Sequence, residues 1–147
     1  MIRKATLSDA HVTAALAIEL WPDDDLAEQT IGFEGLLSRE DCAVFIDFDG
    51  ALPVGFAQCQ LRRDYVEGTD SSPVGYLEGI FVREGYRGQG RARALLRECE
   101  AWSEAQGCTE FASDCELDNA VSLRFHLLMG FIEANRIICF TKTLAKE

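Results

Sequence analysis

The sequence has few of the features of disordered or fibrous chains. It contains only three prolines, and its 12 glycines recur at no fixed period, which excludes a collagen-like chain. Hydrophobic residues make up 48% of the 147 positions, too large a share for a disordered chain. At this length folding buries roughly 70% of the unfolded surface. We therefore expect one domain over residues 1–147, with a core that needs no disulfide or structural metal.

The sequence also lacks the spacings of a metal site or a disulfide framework. None of its six cysteines forms a C-x-x-C pair, and neither His11 nor His126 has ligand-like spacing to them. No apolar run is long enough to cross a bilayer. Acidic residues such as Asp9 interrupt the one stretch that resembles a signal peptide. We predict a cytoplasmic protein with reduced thiols, no metal and no membrane partner.

Basic residues are few and concentrated in one segment. The chain has 14 Lys and Arg against 25 Asp and Glu, a net charge of −11. Residues 83–97 hold five arginines and one glutamate, so this segment carries +4 and the remainder −15. An acidic surface repels nucleic acid and attracts cations, whereas the basic segment suits a small anionic ligand. We expect no nucleic-acid partner and a cationic small molecule as substrate.

The hydrophobic pattern predicts six strands and four helices. Strands are predicted over residues 1–6, 43–48, 54–62, 74–82, 110–114 and 131–143, and helices over 8–20, 24–38, 88–106 and 119–129. Ser8 is a candidate N-cap for the first helix. Long helices between the last strands predict a parallel pair, and the Asp49-Gly50 turn predicts an antiparallel pair. The fold class is therefore α+β with a mixed sheet.

The strongest local motif is the glycine-rich segment at residues 86–92, Y-R-G-Q-G-R-A, between a strand and a helix. Its glycines allow close approach of a ligand, and the N-terminus of the following helix attracts an anion such as phosphate. The segment has neither the Walker pattern nor the dinucleotide pattern. Alternatively, it is a glycine turn whose arginines face solvent.

The segment resembles the pyrophosphate loop of the GCN5-related N-acetyltransferases. The R-x-x-G-x-A motif at Arg87, Gly90 and Ala92 follows a strand that ends I-F-V, and the resemblance continues through Asn119 to G-F at residues 130–131. It implies the GNAT fold, a mixed and mostly antiparallel sheet flanked by about four helices. It also implies that acetyl-CoA is bound by the loop, with its pantetheine arm beside the strand and hydrogen-bonded by Asn119. The implied donor-binding residues are Ile80, Phe81, Val82, Arg87, Gly88, Gln89, Gly90, Arg91, Ala92 and Asn119.

A narrower resemblance is to the aminoglycoside 6′-N-acetyltransferases. It is carried by W-P-D at residues 21–23, Y-L-E-G-I-F-V at 76–82, E-F-A-S-D at 110–114 and L-D-N at 117–119. The acceptor-binding residues it implies are Trp21, Asp24, Tyr65, Glu78, Asp114 and Asn135. At Asn135 the family pattern implies a glutamate, and at Asp24 some members have a histidine or another polar group.

The acids can also be interpreted from their chemistry. A cleft lined by Asp24, Glu78 and Asp114 would attract and orient a substrate with several ammonium groups. The structural alternatives are that Asp24 is a helix N-cap, that Asp114 ends its strand in a turn, and that Glu78 faces solvent. Glu78 interrupts an otherwise apolar strand beside Gly79, where we predict a β-bulge. We favour a functional role for Glu78 and Asp114, and leave both interpretations of Asp24 open.

These observations predict an acetyl transfer by direct attack. The acceptor amine would lose its proton to Glu78 or Asp114, directly or through water, and a backbone N–H near residues 81–82 would stabilise the oxyanion. His126 falls where many family members have a tyrosine general acid, and it is either that acid or a structural residue. Acetylation of another cationic amine and a non-catalytic acyl-CoA-binding module are the alternatives. Because relatives are often dimers, the resemblance also allows a homodimer.

Overall fold

A computed structural model of the chain describes residues 1–145, which fall into two units, residues 1–114 and the chain from Cys115 onward. The last two positions of the predicted domain lie outside the described residues. The first unit contains β1 (Ile2–Lys4), a 3₁₀ turn (Leu7–Asp9), α1 (Ala10–Leu20), α2 (Leu26–Leu37), β2 (Cys42–Asp49), β3 (Leu52–Arg62), β4 (Val74–Val82), α3 (Arg91–Ala105) and β5 (Phe111–Ala112). The second unit contains α4 (Ala120–Leu128).

The five strands of the first unit form one sheet in the order β1-β2-β3-β4-β5. The first three pairings are antiparallel, whereas β4 and β5 run parallel. This arrangement confirms the mixed, mostly antiparallel sheet and its α+β class. The turn between β2 and β3 contains Gly50 at φ 61°, a left-handed conformation that glycine adopts readily.

The main core lies where α1 and α2 pack on the sheet. Phe56 of β3 is fully buried, and its ring meets Phe33 at a centroid distance of 6.4 Å and Trp21 at 6.3 Å, both edge to face. Leu16 and Ile46 are also fully buried in this cluster. Each such side chain stabilises the fold by about 1.5–3 kcal/mol. The ring of Trp21 is thereby fixed at the edge of the core.

Helix α3 packs on β3 and β4. Its buried residues are Leu95, Leu96, Cys99, Trp102 and Ser103. Gly107, two residues after the end of the helix, has φ 93°, a left-handed conformation typical of a residue that ends a helix. The helix is thus held with its N-terminus immediately after the glycine-rich segment. No helix within residues 1–145 is long and apolar enough to cross a membrane.

Helix α1 begins later than predicted, and Ser8 is not its N-cap. Ser8 lies inside the 3₁₀ turn, and α1 starts at Ala10. The turn is closed by Asp9, which accepts hydrogen bonds from the Arg3 guanidinium at 2.7 and 2.9 Å and from the Thr6 N–H at 2.8 Å. The hydrogen bonds from Arg3 hold the pKa of Asp9 well below its usual range. The carboxylate of Asp9 therefore outcompetes the hydroxyl of Ser8 as the local acceptor.

Helices α2 and α3 also start later than predicted. The N-cap of α2 is Asp25, whose carboxylate accepts the Glu28 N–H at 3.0 Å, so Asp24 does not have the N-cap role considered for it. Helix α3 starts at Arg91 and not at residue 88, because Gly88 and Gly90 have φ values of 75° and 78°. These left-handed conformations cannot be part of an α-helix.

The predicted strand at residues 131–143 is wrong for the described structure. No strand is formed after α4 within residues 129–145. Its isoleucines and Phe140 are instead exposed, from 65% for Ile137 to 91% for Ile132. A strand needs a hydrogen-bonding neighbour, which a local pattern of apolar residues does not supply.

Candidate active site

Strand β4 contains a β-bulge at Glu78. In the pairing with β3, Gln58 lies opposite Gly79 and Cys59 opposite Leu77, so Glu78 is the extra residue. The bulge predicted from the sequence beside Gly79 is confirmed. A bulge directs the side chain of its extra residue away from the regular alternation of the strand. The half-buried Glu78 owes its orientation to this irregularity.

Strands β4 and β5 pair over only two residues. Gly75 lies opposite Phe111 and Tyr76 opposite Ala112, and β5 ends there. Beyond Tyr76, no strand of the described structure pairs with β4 on its β5 side. Residues 80–82 therefore offer a strand edge to which an extended ligand can hydrogen-bond.

The glycine-rich segment forms an open loop before α3. Gly88 and Gly90 have left-handed conformations, and a Cβ placed on either would meet no other atom within 4 Å. The helix begins at Arg91 with no side-chain cap, so its first N–H groups have no intrahelical acceptor. The loop has the space and the donors that a phosphate group requires.

The arginines at the two ends of the loop are both bound to the sheet. Arg87 donates from Nε to the Val82 carbonyl at 2.6 Å, and its guanidinium lies 5.6 Å from the Phe81 ring centroid. Arg91 donates to the buried carboxylate of Asp47 at 2.8 Å. These contacts fix both ends of the loop relative to β2 and β4. Gln89 accepts a longer bond of 3.4 Å from Arg91.

The two candidate catalytic acids belong to one hydrogen-bonded cluster. Glu78 accepts two hydrogen bonds at Oε1 from Arg62, from Nε at 3.1 Å and from Nη2 at 2.8 Å. The Arg62 guanidinium lies 3.4 Å from the centroid of the Tyr76 ring. The Tyr76 hydroxyl in turn donates to Oδ2 of Asp114. Glu78 and Asp114 are thus linked through a stacked pair, Arg62 and Tyr76.

Arg62 and Tyr76 are members of this cluster that the sequence pattern does not predict as site residues. Tyr76 lies within the motif at residues 76–82, two positions before Glu78. Arg62 ends β3 opposite Val74, and nothing in the local sequence indicates which acid it meets. The contact is visible only in the structure, where the Arg62 side chain lies over the Tyr76 ring and reaches Glu78.

Trp21 lies beside the bulge. A Cβ on Gly79 would lie 2.8 Å from Cη2 of the indole, so the glycine is needed for Trp21 to pack there. The indole is half-buried and also meets Phe56 of the core. Trp21 therefore has a packing role and lies against Gly79, the residue that follows Glu78.

Asp24 and Tyr65 are more exposed, and their side-chain partners within residues 1–145 are local. Asp24 accepts the side-chain amide of Gln29 at 2.5 Å. Tyr65 is 75% exposed, and its hydroxyl accepts the Gly68 N–H at 3.4 Å. Among the residues that the structure describes, no hydrogen bond or ion pair joins either residue to Glu78 or Asp114.

The second unit contains the remaining candidates. Asn119 caps α4 by accepting the Ser122 N–H at 3.0 Å. His126 donates from Nδ1 to the Ser122 carbonyl at 2.7 Å and meets the Phe131 ring at 5.0 Å. Asn135 is exposed and accepts the backbone N–H of Arg136. The contacts of His126 agree with the structural interpretation of this residue.

Comparison with known proteins gives consistent matches along the chain. The model of the acetyltransferase (GNAT) family matches residues 6–131. Aminoglycoside N(6′)-acetyltransferase type 1 of Stenotrophomonas maltophilia is 43% identical over 147 residues, covering 97% of this chain and 93% of that protein. The protein of that name from Serratia marcescens is 39% identical over 132 residues, 88% of this chain and 90% of that protein. The solved structure of AAC(6′)-Iy with the bisubstrate analogue CoA-S-monomethyl-acetylneamine has a TM-score of 0.93 at 35% identity, covering 98% of each chain.

Proposed function

The chain belongs to the acetyltransferase (GNAT) family, and from this premise we propose that it transfers the acetyl group of acetyl-CoA to the 6′-amine of an aminoglycoside. The observation that carries the proposal is the cluster that joins Glu78 to Asp114 where β4 and β5 separate. Two carboxylates at this position suit a substrate with several ammonium groups. The names and substrates of the relatives support the same acceptor.

The glycine-rich loop and the free edge of β4 fit acetyl-CoA. The open space at Gly88 and Gly90 admits a pyrophosphate, and the uncapped start of α3 supplies N–H donors. The edge at residues 80–82 would hydrogen-bond the pantetheine arm in the manner of a strand. Arg87 would contribute positive charge beside the loop. We assign donor binding to residues 80–82, to residues 87–92 and to Asn119.

The acceptor would bind against the acids and Trp21. Glu78 and Asp114 each keep one carboxylate oxygen without a hydrogen bond among residues 1–145, and these oxygens would accept ammonium protons. Trp21 offers a ring face on which a sugar can pack. We also propose the exposed residues Asp24, Tyr65 and Asn135 as acceptor-binding residues.

Glu78 is the proposed general base. Its free oxygen would accept the proton of the attacking amine, directly or through a water molecule. A backbone N–H at Phe81 or Val82 would stabilise the negative charge that builds on the thioester oxygen. Asp114 is more exposed and would chiefly bind a second ammonium group. Collapse of the tetrahedral intermediate would break the C–S bond and release CoA as the thiolate, so the scheme does not need His126.

The test is release of free CoA from acetyl-CoA in the presence of a panel of amines. Kanamycin and tobramycin should be acetylated, and an aminoglycoside with a 6′-hydroxyl group should be a poor acceptor. Added salt should lower turnover, because it screens the attraction between the acidic protein and the cationic substrate. Turnover with a polyamine or peptide but with no aminoglycoside would contradict the proposed acceptor. Binding of acetyl-CoA with no turnover at all would indicate a non-catalytic module.

Three broader properties also belong to this proposal. Residues 1–147 would act as one acetyltransferase domain, because the family model spans both structural units. The apolar side chains exposed after α4 support a homodimer. Four buried free thiols, Cys42, Cys59, Cys99 and Cys108, agree with a reducing cytoplasm.

A further inference from the structure

Arg62 is a half-buried charged residue that pairs with Glu78, the proposed general base. Two of its guanidinium nitrogens donate to the same oxygen of Glu78, at 3.1 and 2.8 Å. Its Cζ lies 3.4 Å from the centroid of the Tyr76 ring. A guanidinium that is both stacked and doubly hydrogen-bonded has little rotational freedom. Arg62 therefore fixes the direction of the Glu78 carboxylate.

Tyr76 extends the same arrangement to the second acid. Its side chain is nearly fully buried, and its hydroxyl donates to Asp114. Burial, and next the hydrogen bond to Asp114, raise the pKa of Tyr76 above its usual value. The phenol therefore remains a donor throughout the neutral pH range. One stacked pair thus holds a carboxylate at each end.

The cluster leaves each acid with one oxygen for a ligand. Arg62 occupies Oε1 of Glu78, and Tyr76 occupies Oδ2 of Asp114. Oε2 and Oδ1 make no hydrogen bond to the described residues. The positive charge of Arg62 also offsets one of the two carboxylate charges, so the cluster as a whole carries −1 and not −2. Both effects influence a cation that binds here, one through geometry and the other through charge.

We propose that Arg62 is a positioning residue which, stacked on Tyr76, orients Glu78 and Asp114 toward the acceptor amine. The proposal rests on the roles assigned above to the two acids. The ion pair is partly exposed, with side-chain exposures of 37% for Arg62 and 21% for Glu78. Such pairs contribute little to stability. Loss of Arg62 should therefore lower activity much more than it lowers the melting temperature.

The decisive experiment is a double-mutant cycle between Arg62→Met and Glu78→Gln. If Arg62 acts through Glu78, Arg62→Met should lower kcat by about tenfold in the wild-type background and by less than about twofold in the Glu78→Gln background. The KM for acetyl-CoA should change little in either. Arg62→Lys, which keeps the charge but not the fork of donors, should recover only part of the loss. The matched control is Arg63→Met, which removes the same charge at the adjacent exposed residue and should leave kcat unchanged.

A second cycle tests the other end of the cluster. Tyr76→Phe keeps the ring under Arg62 but removes the hydroxyl, and it should raise the KM for the amine about fivefold. That effect should disappear in the Asp114→Asn background. If the Glu78→Gln enzyme is too slow to assay, calorimetry can replace kinetics in the first cycle. The affinity for the amine is then measured in the wild type, in Arg62→Met, in Glu78→Gln and in the double variant, and the effect of Arg62→Met on this affinity should be smaller when Glu78 is already replaced.

Equal losses in both backgrounds would show that Arg62 does not act through Glu78, and would overturn the proposal. So would an Arg62→Met variant with unchanged kcat, or one whose loss is matched by Arg63→Met. The cycles use whichever amine of the panel the wild-type enzyme acetylates. Turnover of a polyamine alone would therefore defeat the aminoglycoside assignment, while the cycles would still decide the role of Arg62.

Discussion

Glu78 and Asp114 are both carboxylates, yet their surroundings suit them to different tasks. Glu78 is half-buried at the bulge of β4 and is held by two hydrogen bonds from Arg62. Asp114 is exposed and accepts a hydrogen bond from a neutral phenol. The more confined carboxylate is better placed to exchange a proton with a bound amine, and the exposed one to attract the substrate. The difference between the two acids can be measured.

Substitution of each acid by its amide should separate the two tasks. Glu78→Gln should lower kcat by about 100-fold and alter the pH profile of kcat, because a protonated amine cannot attack and the amide cannot accept its proton. Asp114→Asn should raise the KM for the amine by about tenfold and leave kcat nearly unchanged, because it removes binding that is common to ground and transition states. Steady-state kinetics over a range of pH checks both. A Glu78→Gln enzyme with full kcat and an unaltered profile would assign the proton to Asp114 or to bulk water.

Among the elements, the loop between β4 and α3 combines two kinds of restraint. Its glycines take left-handed conformations that leave the space above the backbone empty. Arg87 and Arg91 hold its two ends to the Val82 carbonyl and to Asp47. A loop that is fixed at its ends and open in the middle is preorganised for an anion. The donor site should therefore be sensitive to charge and to backbone conformation in this segment.

Arg87→Glu should raise the KM for acetyl-CoA by at least about tenfold, because it reverses a charge beside the pyrophosphate and removes the bond to Val82. The KM for the amine should change by less than about twofold. The control is Arg93→Glu, which introduces the same charge at an exposed position of α3. Gly90→Val should act in the same direction, since valine is strained at φ 78°. Equal changes in both KM values, or the same effect from Arg93→Glu, would argue against the loop assignment.

The sequence predicted elements best where local pattern and local chemistry agree. The bounds of β4 were predicted correctly, because its apolar run lies between Pro73 and Arg83. The predicted start of α3 is three residues too early. The pattern of apolar residues gives no information on backbone conformation, and Gly88 and Gly90 adopt left-handed conformations before the helix. Glu78 stood out as an acid in an apolar strand. The contact of Arg62 with Glu78 depends on strand register, which the sequence pattern alone leaves undetermined.

At the scale of the whole molecule, charge is divided between the two substrates. The segment at residues 83–97 carries +4 in a chain of −11. The basic segment coincides with the loop proposed for the anionic donor, and the acidic remainder includes the residues proposed for the cationic acceptor. Each substrate is thereby attracted to its own part of the protein. A surface with charge of one sign throughout would attract only one of the two substrates.

The exposed apolar residues after α4 give the last prediction. Ile132, Ile138, Phe140 and Leu144 are each at least 80% exposed, and their segment has the sequence of a strand but pairs with none in the described structure. A second copy of the chain would cover such side chains and supply a strand neighbour. Light scattering at micromolar concentration should therefore give twice the 16.3 kDa of one chain. Phe140→Lys should shift the protein toward the monomer, whereas Leu52→Lys, at an exposed apolar residue that begins β3, should not. A wild-type protein that remains monomeric at these concentrations would contradict the homodimer.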